Sequence, residues 1–339
     1  MNLRTLLAPA LILAACPCCP AQTADPGATP ATRAVLDYIR HLRGSPGKRV
    51  LSGQFLDFAP HASLALPEAI HAATGKWPAY VGVDYMNFKD GGTIDPAQAN
   101  RVALEYWRQR GLVEVNVHLP DPENPKGGGL RDKGVNLPDL LAPGSDANRA
   151  WLRELDQVAS GLGALADQGV VVLWRPFHEM NGGWFWWGGK PPGDMAALWR
   201  QTFDYLAGTR HLHNLVWIYS PNMGANAAAD YPGDAYVDLV GLDAYTDDVD
   251  PAHIAGFPEL LKTGKPAGFG EYGPHGASKP TGDYDYTRFA SGLAANFPEA
   301  VFFMSWNEKW SPALNLRARE FYGDPLIITR DDLPAALFR

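Results

Sequence analysis

The segment Trp174-Arg175-Pro176-Phe177-His178-Glu179-Met180-Asn181-Gly182-Gly183-Trp184-Phe185-Trp186-Trp187-Gly188 sets one carboxylate beside four large aromatics. A run of apolar β-formers, Val170-Val171-Val172-Leu173, leads into it. That pattern predicts a buried strand ending in a polar, Gly-rich loop. Aromatic rings offer flat apolar platforms to the C–H faces of pyranoses, and a carboxylic acid can protonate a glycosidic oxygen. A second carboxylate, Glu271, sits in Phe269-Gly270-Glu271-Tyr272-Gly273 after another strand-like run. Two carboxylates facing each other across a sugar are the minimum apparatus for glycoside hydrolysis. One must be protonated and the other ionised, so their surroundings must push their pKa values apart. A cation such as Arg175 and a donor such as Tyr245 near Glu271 would favour its ionised form. Glu179, beside Trp184 and Phe185, would occupy a drier place that raises its pKa.

Other motifs fail on inspection. His178-Glu179-Met180-Asn181-Gly182 opens like HExxH, but Gly182 stands where the second histidine must be. Gly268-Phe269-Gly270-Glu271-Tyr272-Gly273 formally matches GxGxxG. Pro274 follows in place of a clear helix, and Glu271 would set negative charge beside a pyrophosphate. His211-Leu212-His213 has no acidic or thiol companion nearby and reads as a surface turn. No serine sits in a GxSxG elbow. The three cysteines, Cys16, Cys18 and Cys19, all precede residue 20, so the body of the chain has no disulfide framework, thiol nucleophile or Cys-based metal site. The chemistry expected of the two glutamates needs neither cofactor nor metal.

The elements that must position these groups alternate. Strands are predicted at 49–54, 80–85, 112–119, 170–175, 214–220, 237–243, 266–271 and 301–306, with helices at 96–110, 147–167, 193–209, 251–262 and 284–296. Continuous apolar strands separated by helices argue for a parallel sheet covered on its outer face. Eight such units predict a single (β/α)8 TIM barrel with chemistry at the C-terminal strand ends; a doubly wound sheet is the structural alternative. Polar groups recur at those ends: His118, His178-Glu179, Ser220, Asp243-Ala244-Tyr245, Glu271 and Trp306-Asn307-Glu308. In a barrel they converge on one mouth. Consecutive aromatics cannot all face one way, so two or three of residues 184–187 would line a groove and the rest would pack beneath.

With 339 residues, 46% hydrophobic, the chain can bury one large core. The net charge is −8 and no dense Lys/Arg run occurs, which disfavours nucleic acid as a partner. Residues 1–16 read as an export signal: Arg4, then an apolar stretch from Leu6 to Ala15 that is too short for a permanent span. Leu13-Ala14-Ala15-Cys16 resembles the bacterial lipobox, and cleavage near Ala21 is the alternative. The expectation is an exported, membrane-anchored lipoprotein, periplasmic or on the cell surface, and otherwise a secreted protein; any membrane contact would run through that anchor. Residues 17–32, rich in Pro, Ala and Thr, read as a flexible tether to a catalytic domain at 33–339.

On these residues the chain resembles glycoside hydrolase family 26, whose members include β-mannanases. The segment from Arg175 to Gly188 carries the resemblance most specifically, and it extends from Val50-Leu51-Ser52-Gly53-Gln54 to Ser305-Trp306-Asn307. His178 precedes the acid where most of the wider clan has Asn. The resemblance implies a (β/α)8 barrel and retaining hydrolysis of β-1,4-mannosidic linkages in mannan or manno-oligosaccharides. It implies Glu179 as acid/base and Glu271 as nucleophile, with carboxyl groups about 5–5.5 Å apart. It also implies sugar contacts from His118, His178, Trp184 and Trp306 and a place near the nucleophile for Tyr245; Tyr245 and Arg175 are expected among the substrate-binding residues too. A β-glucanase or β-xylanase on the same fold, and a lipid-anchored glycan-binding protein that does not cut, stay open as alternatives. So does endo against exo action, since no role follows for the long segment 120–146.

Overall fold

The computed structural model describes residues 23–339 apart from 125 and 278–280. The export signal, the lipobox and all three cysteines lie outside the described residues. Eight parallel strands form the barrel: β1 (Val50–Phe58), β2 (Tyr80–Asp84), β3 (Leu112–Asn116), β4 (Val172–Arg175), β5 (Leu215–Tyr219), β6 (Leu239–Tyr245), β7 (Ala267–Gly273) and β8 (Ala300–Ser305). β8 pairs with β1 from Leu51↔Phe302 to Gln54↔Ser305 and closes the ring. Closure rules out the doubly wound alternative. The strands are buried almost throughout because helices cover their outer faces and side chains fill the interior, which is why they read as largely apolar runs.

Outside the ring lie α1 (Pro30–Leu42), α2 (Ala65–Thr74), α3 (Ala97–Arg108), α4 (Leu137–Leu141), α5 (Asp146–Ala166), α6 (Pro192–Phe203), α7 (Phe257–Leu261) and α8 (Thr287–Asn296). Ser145 caps α5 by accepting from the Asn148 N–H, and Pro192 opens α6 with its φ already suited to a helix. The helix expected over 251–262 is confined to α7, because Gly256 enters it with φ 100°, outside the helical region.

Two expectations need correction. The tether does not extend to residue 32: its described part is folded. The Ala24 N–H donates to Asp238 Oδ1 at 2.7 Å, and Asp25 Oδ2 lies 2.8 Å from His213 Nδ1. Thr29 caps α1 by accepting from the Thr32 N–H. These polar side chains are satisfied by the barrel, so composition alone misread them. His213 is accordingly a packing partner of Asp25. The third strand also ends early, at Asn116. Beyond it, the His118 N–H donates to Asp84 Oδ1 at 3.2 Å, which turns the chain out of the ladder.

The GxGxxG match has a packing cause. A Cβ on Gly270 would lie 2.0 Å from Ser220 Oγ and 2.5 Å from Asp243 Oδ1. One on Gly273 would lie 2.4 Å from the Trp310 ring. These glycines let strand, side chain and active-site wall approach closely inside a crowded ring.

Candidate active site

Arg175, the last residue of β4, is fully buried at the centre of the barrel mouth. Its guanidinium donates to three carboxylates on three strands: Nε to Glu114 Oε1 (3.0 Å, β3), Nη1 to Asp243 Oδ2 (3.0 Å, β6) and Nη2 to Glu271 Oε1 (2.7 Å, β7). With its amide turned so that Nδ2 donates to Val83 O at 2.6 Å, Asn116 Oδ1 accepts from Nη2 at 3.0 Å. One cation cannot balance three buried anions, so protons must reside on some of them. Burial, reinforced by Glu271, pushes Glu114 up to about 7 despite the opposing pull of Arg175. Burial, with Glu271 and Glu179 nearby, holds Asp243 well above the ordinary carboxylate range, again against Arg175. The Ser220 hydroxyl donates to Asp243 Oδ1 at 2.6 Å.

Glu271 is thus fixed at both oxygens. Arg175 occupies Oε1, and the Tyr245 hydroxyl donates to Oε2 at 2.6 Å. Burial and the neighbouring carboxylates raise Tyr245 well above its usual value, so it remains a donor. Only 3% of Glu271 is exposed, and that edge faces the cleft.

Glu179 differs in every respect. The chain reaches it through two residues in the left-handed region, Phe177 (φ 50°) and Glu179 itself (φ 56°). Such a conformation costs of order 1–3 kcal/mol in a residue with a side chain and persists only where surrounding bonds hold it. Here the Glu179 N–H donates to Ser220 O at 2.7 Å, and the Gly182 N–H donates to Glu179 O at 2.9 Å. Among the described residues no cation bonds its carboxyl group; Trp184 Nε1 donates to Oε2 at 2.6 Å. Burial first, then the charge of Glu271, raises Glu179 to about 8, against smaller opposing effects of Trp184 and Arg175. One carboxylate oxygen from each of Glu179, Asp243 and Glu271 lies within 4.8 Å of the other two.

Both glutamates border an open cleft of about 500 Å³, with Trp184, Tyr245 and Trp306 among its walls. Trp306 stacks on Phe55, with centroids 4.0 Å apart and planes 4° apart. Of the four consecutive aromatics, Trp184 is 36% exposed and Phe185 shows an edge to the cleft. Trp186 and Trp187 are fully buried, their indole N–H groups donating to Leu119 O (3.0 Å) and His178 O (2.9 Å). A Cβ on Gly182 would lie 2.3 Å from the Trp184 ring, so glycine there lets the indole fold back towards Glu179.

His118 and His178 also line the cleft, with their Nε2 atoms 3.0 Å apart. The 120–146 segment is fastened to the acid-bearing loop. Leu130 O accepts from the Trp186 N–H at 2.9 Å, Lys190 Nζ donates to Val135 O at 2.6 Å, and Lys133 Nζ donates to Gly183 O. Arg131 of this segment reaches the cleft.

The profile of glycosyl hydrolase family 26 matches residues 24–332. The chain belongs to glycosyl hydrolase family 26. A mannan endo-1,4-beta-mannosidase of Bacillus subtilis strain 168 is 33% identical over 329 residues, covering 91% of this chain and 88% of the relative. The solved structure of a Bacillus subtilis mannanase superposes with a TM-score of 0.84 at 32% identity, covering 91% of this chain and 95% of that one. A beta-mannanase from a symbiotic protist of the termite Reticulitermes speratus, solved with a gluco-manno-oligosaccharide, gives a TM-score of 0.74 at 26% identity, covering 92% and 97%.

The family 26 fold brings all eight sequence-nominated residues to one mouth. Seven of them, His118, His178, Glu179, Trp184, Tyr245, Glu271 and Trp306, line the cleft. Arg175 does not: it lies beneath, and its contacts are with carboxylates, which makes it a support for Glu271 where a direct sugar contact was expected. Glu308, another strand-end acid, is exposed and outside the cleft wall. Glu114 and Asp84 were not singled out. The available signal was a charged residue inside an apolar strand, as in Leu112-Val113-Glu114-Val115 and Val81-Gly82-Val83-Asp84.

Proposed function

We propose that this chain cleaves β-1,4-mannosidic linkages within mannan, with retention of configuration. The observation that carries the reading is the pair Glu179 and Glu271, whose oxygens approach within 4.8 Å beside an open cleft. Retaining glycosidases hold their carboxyl groups about 5–5.5 Å apart, whereas inverting enzymes need about 6.5–9.5 Å to admit a water. Mannan as the substrate is supported by relatives described as mannan endo-1,4-beta-mannosidases that this chain matches over 91% of its length.

The mechanism follows from the two environments. Glu271, oriented by Arg175 and Tyr245, attacks the anomeric carbon while Glu179 gives its proton to the departing oxygen. At about 8, Glu179 carries that proton at neutral pH. Formation of the glycosyl ester removes the charge on Glu271, and with it one cause of the raised pKa at Glu179. Glu179, having given up its proton, then stays ionised and acts as the base that accepts a proton from the water that releases the sugar. Trp306 and Trp184, both in the cleft wall, offer apolar faces to the sugars.

Incubation with mannan, lichenan and xylan, followed by chromatography of the products, tests the reading. Release of mixed manno-oligosaccharides from mannan is expected. Products of a single short length would indicate exo action, cleavage of lichenan or xylan alone would reassign the substrate, and binding without products would leave a glycan-capturing protein.

We propose also that the chain is exported and held at a membrane through a lipid on Cys16, on the strength of Leu13-Ala14-Ala15-Cys16. Metabolic labelling with a fatty-acid analogue should mark the wild-type protein and not Cys16→Ser. Equal labelling of both, or of neither, contradicts the anchor.

A further inference from the structure

Behind the cleft, Asp84 at the end of β2 is completely buried. Its Oδ1 accepts two backbone N–H groups, from Met86 at 2.7 Å and His118 at 3.2 Å. Its Oδ2 lies 2.7 Å from His118 Nδ1. A carboxylate so placed accepts, so His118 carries a proton on Nδ1. On the other side of the ring, His118 Nε2 stands 3.0 Å from His178 Nε2.

The proton between the two rings can be assigned. Burial, with His118 and Arg175 close by, pulls His178 well below its ordinary value, so its ring is neutral and has one N–H. His178 Nδ1 is buried with no hydrogen-bond partner. A buried N–H without an acceptor is rarer and costlier than an unused lone pair. The single proton of His178 therefore belongs on Nε2, where it donates to His118 Nε2. His118 Nε2 is then an acceptor, and His118 is neutral too.

We infer that Asp84 is a positioning residue: by fixing His118 as its Nδ1–H tautomer, it makes His118 and His178 an acceptor–donor pair matched to one sugar hydroxyl. A hydroxyl both donates and accepts, so it can replace the direct bond between the rings once they part, donating to His118 Nε2 and accepting from His178 Nε2. This inference rests on the reading of the cleft as a sugar site. The relay also explains why a carboxylate is needed at 84. Asparagine would keep its oxygen on the two backbone N–H groups and turn its NH₂ towards His118 Nδ1. That forces the His118 proton onto Nε2, where it confronts the N–H of His178.

Nitrogen NMR of the full chain with 15N-labelled histidine tests the assignment without any substrate. In the wild type, His118 should show a protonated Nδ1 and a bare Nε2, and His178 the opposite. A His118 protonated at both nitrogens, or at Nε2 alone, overturns the proposal. Asp84→Asn should invert the His118 pattern and lower kcat/KM on mannan by roughly 100-fold, the scale seen when the partner that holds an imidazole tautomer is lost. Asp84→Glu, which keeps a carboxylate, should keep the wild-type tautomer and regain part of the activity. Inverted tautomer with unchanged kinetics would overturn the link to sugar binding. If Asp84→Asn does not fold, the wild-type spectrum still decides the tautomer, and its change on adding mannotriose decides the contact. A wild type inactive on mannan would sink the mannanase reading and leave the spectral test standing.

Discussion

Trp184 Nε1 donates to Glu179 Oε2 at 2.6 Å, so the ring proposed as a platform for sugar also grips the group assigned to protonate it. That bond favours the ionised form of Glu179 and works against burial and Glu271, which together hold the group near 8. Activity requires the protonated form and should fall as pH rises through about 8. Trp184→Phe keeps the apolar surface and removes the donor, so the pKa rises further. The basic limb of kcat/KM against pH, which reports the free enzyme, should move upward in this variant. A downward shift would mean that the bond matters in some other way.

Removal of each glutamate should separate their roles. Glu271→Ala is expected to abolish turnover of every substrate, because Asp243, the carboxylate beside it, is completely buried and not part of the cleft wall. Glu179→Ala should lose about 10²–10⁴-fold on mannan, the usual worth of general acid–base catalysis. On aryl mannosides with good leaving groups, the first step of Glu179→Ala should proceed far better. Equal losses on both substrate kinds would contradict the division.

Glu114 gives a stability prediction with a definite sign. Its folded-state value is raised from 4.5 to about 7, so the native protein holds a proton that the unfolded chain has released. Its contribution is fully present below about 4.5 and is lost as pH rises through about 7. Glu114→Gln mimics the protonated group and should flatten this part of the pH dependence. Urea unfolding midpoints of wild type and variant, compared from pH 5 to 8, should diverge with the variant relatively more stable at the alkaline end. Parallel curves would show that Glu114 is ionised throughout.

Gly270→Ala probes the crowding inside the ring. The added methyl would lie 2.0 Å from Ser220 Oγ, which bonds Asp243. Overpacking of this kind typically costs about 1–3 kcal/mol. The variant should melt several degrees lower and lose activity beyond what stability explains, since Asp243 and Glu271 share Arg175. An unchanged melting temperature would show that the ring relaxes freely.

The barrel was legible because strands covered on both faces are apolar throughout, so all eight stood out within a few residues of their observed bounds. Glu179 and Glu271 could be singled out because one follows such a strand and the other lies near the C-terminal end of one. Other parts were hidden for physical reasons. α2 was missed: Ala65–Thr74 starts without a side-chain cap. Thr23 to Thr32 looked like a linker because its polar groups find partners, Asp238 and His213, that are remote in sequence. Arg175 looked like a sugar contact because a strand-end cation gives no sign of how many acids will surround it. Asp84 looked like part of a strand, and its bond to His118 crosses from β2 to the end of β3, a proximity that only the closed ring creates.

The trio of acids around one guanidinium has a consequence for the reaction cycle. In the proposed cycle Glu271 becomes an ester, while Arg175 still faces Glu114, raised to about 7, and Asp243, held well above the ordinary carboxylate range by burial. Either can give up its proton and take over the role of counter-ion that Glu271 has vacated. On that reading the barrel floor would act as a local buffer, keeping the surroundings of the proposed covalent intermediate close to those of the resting state while water arrives.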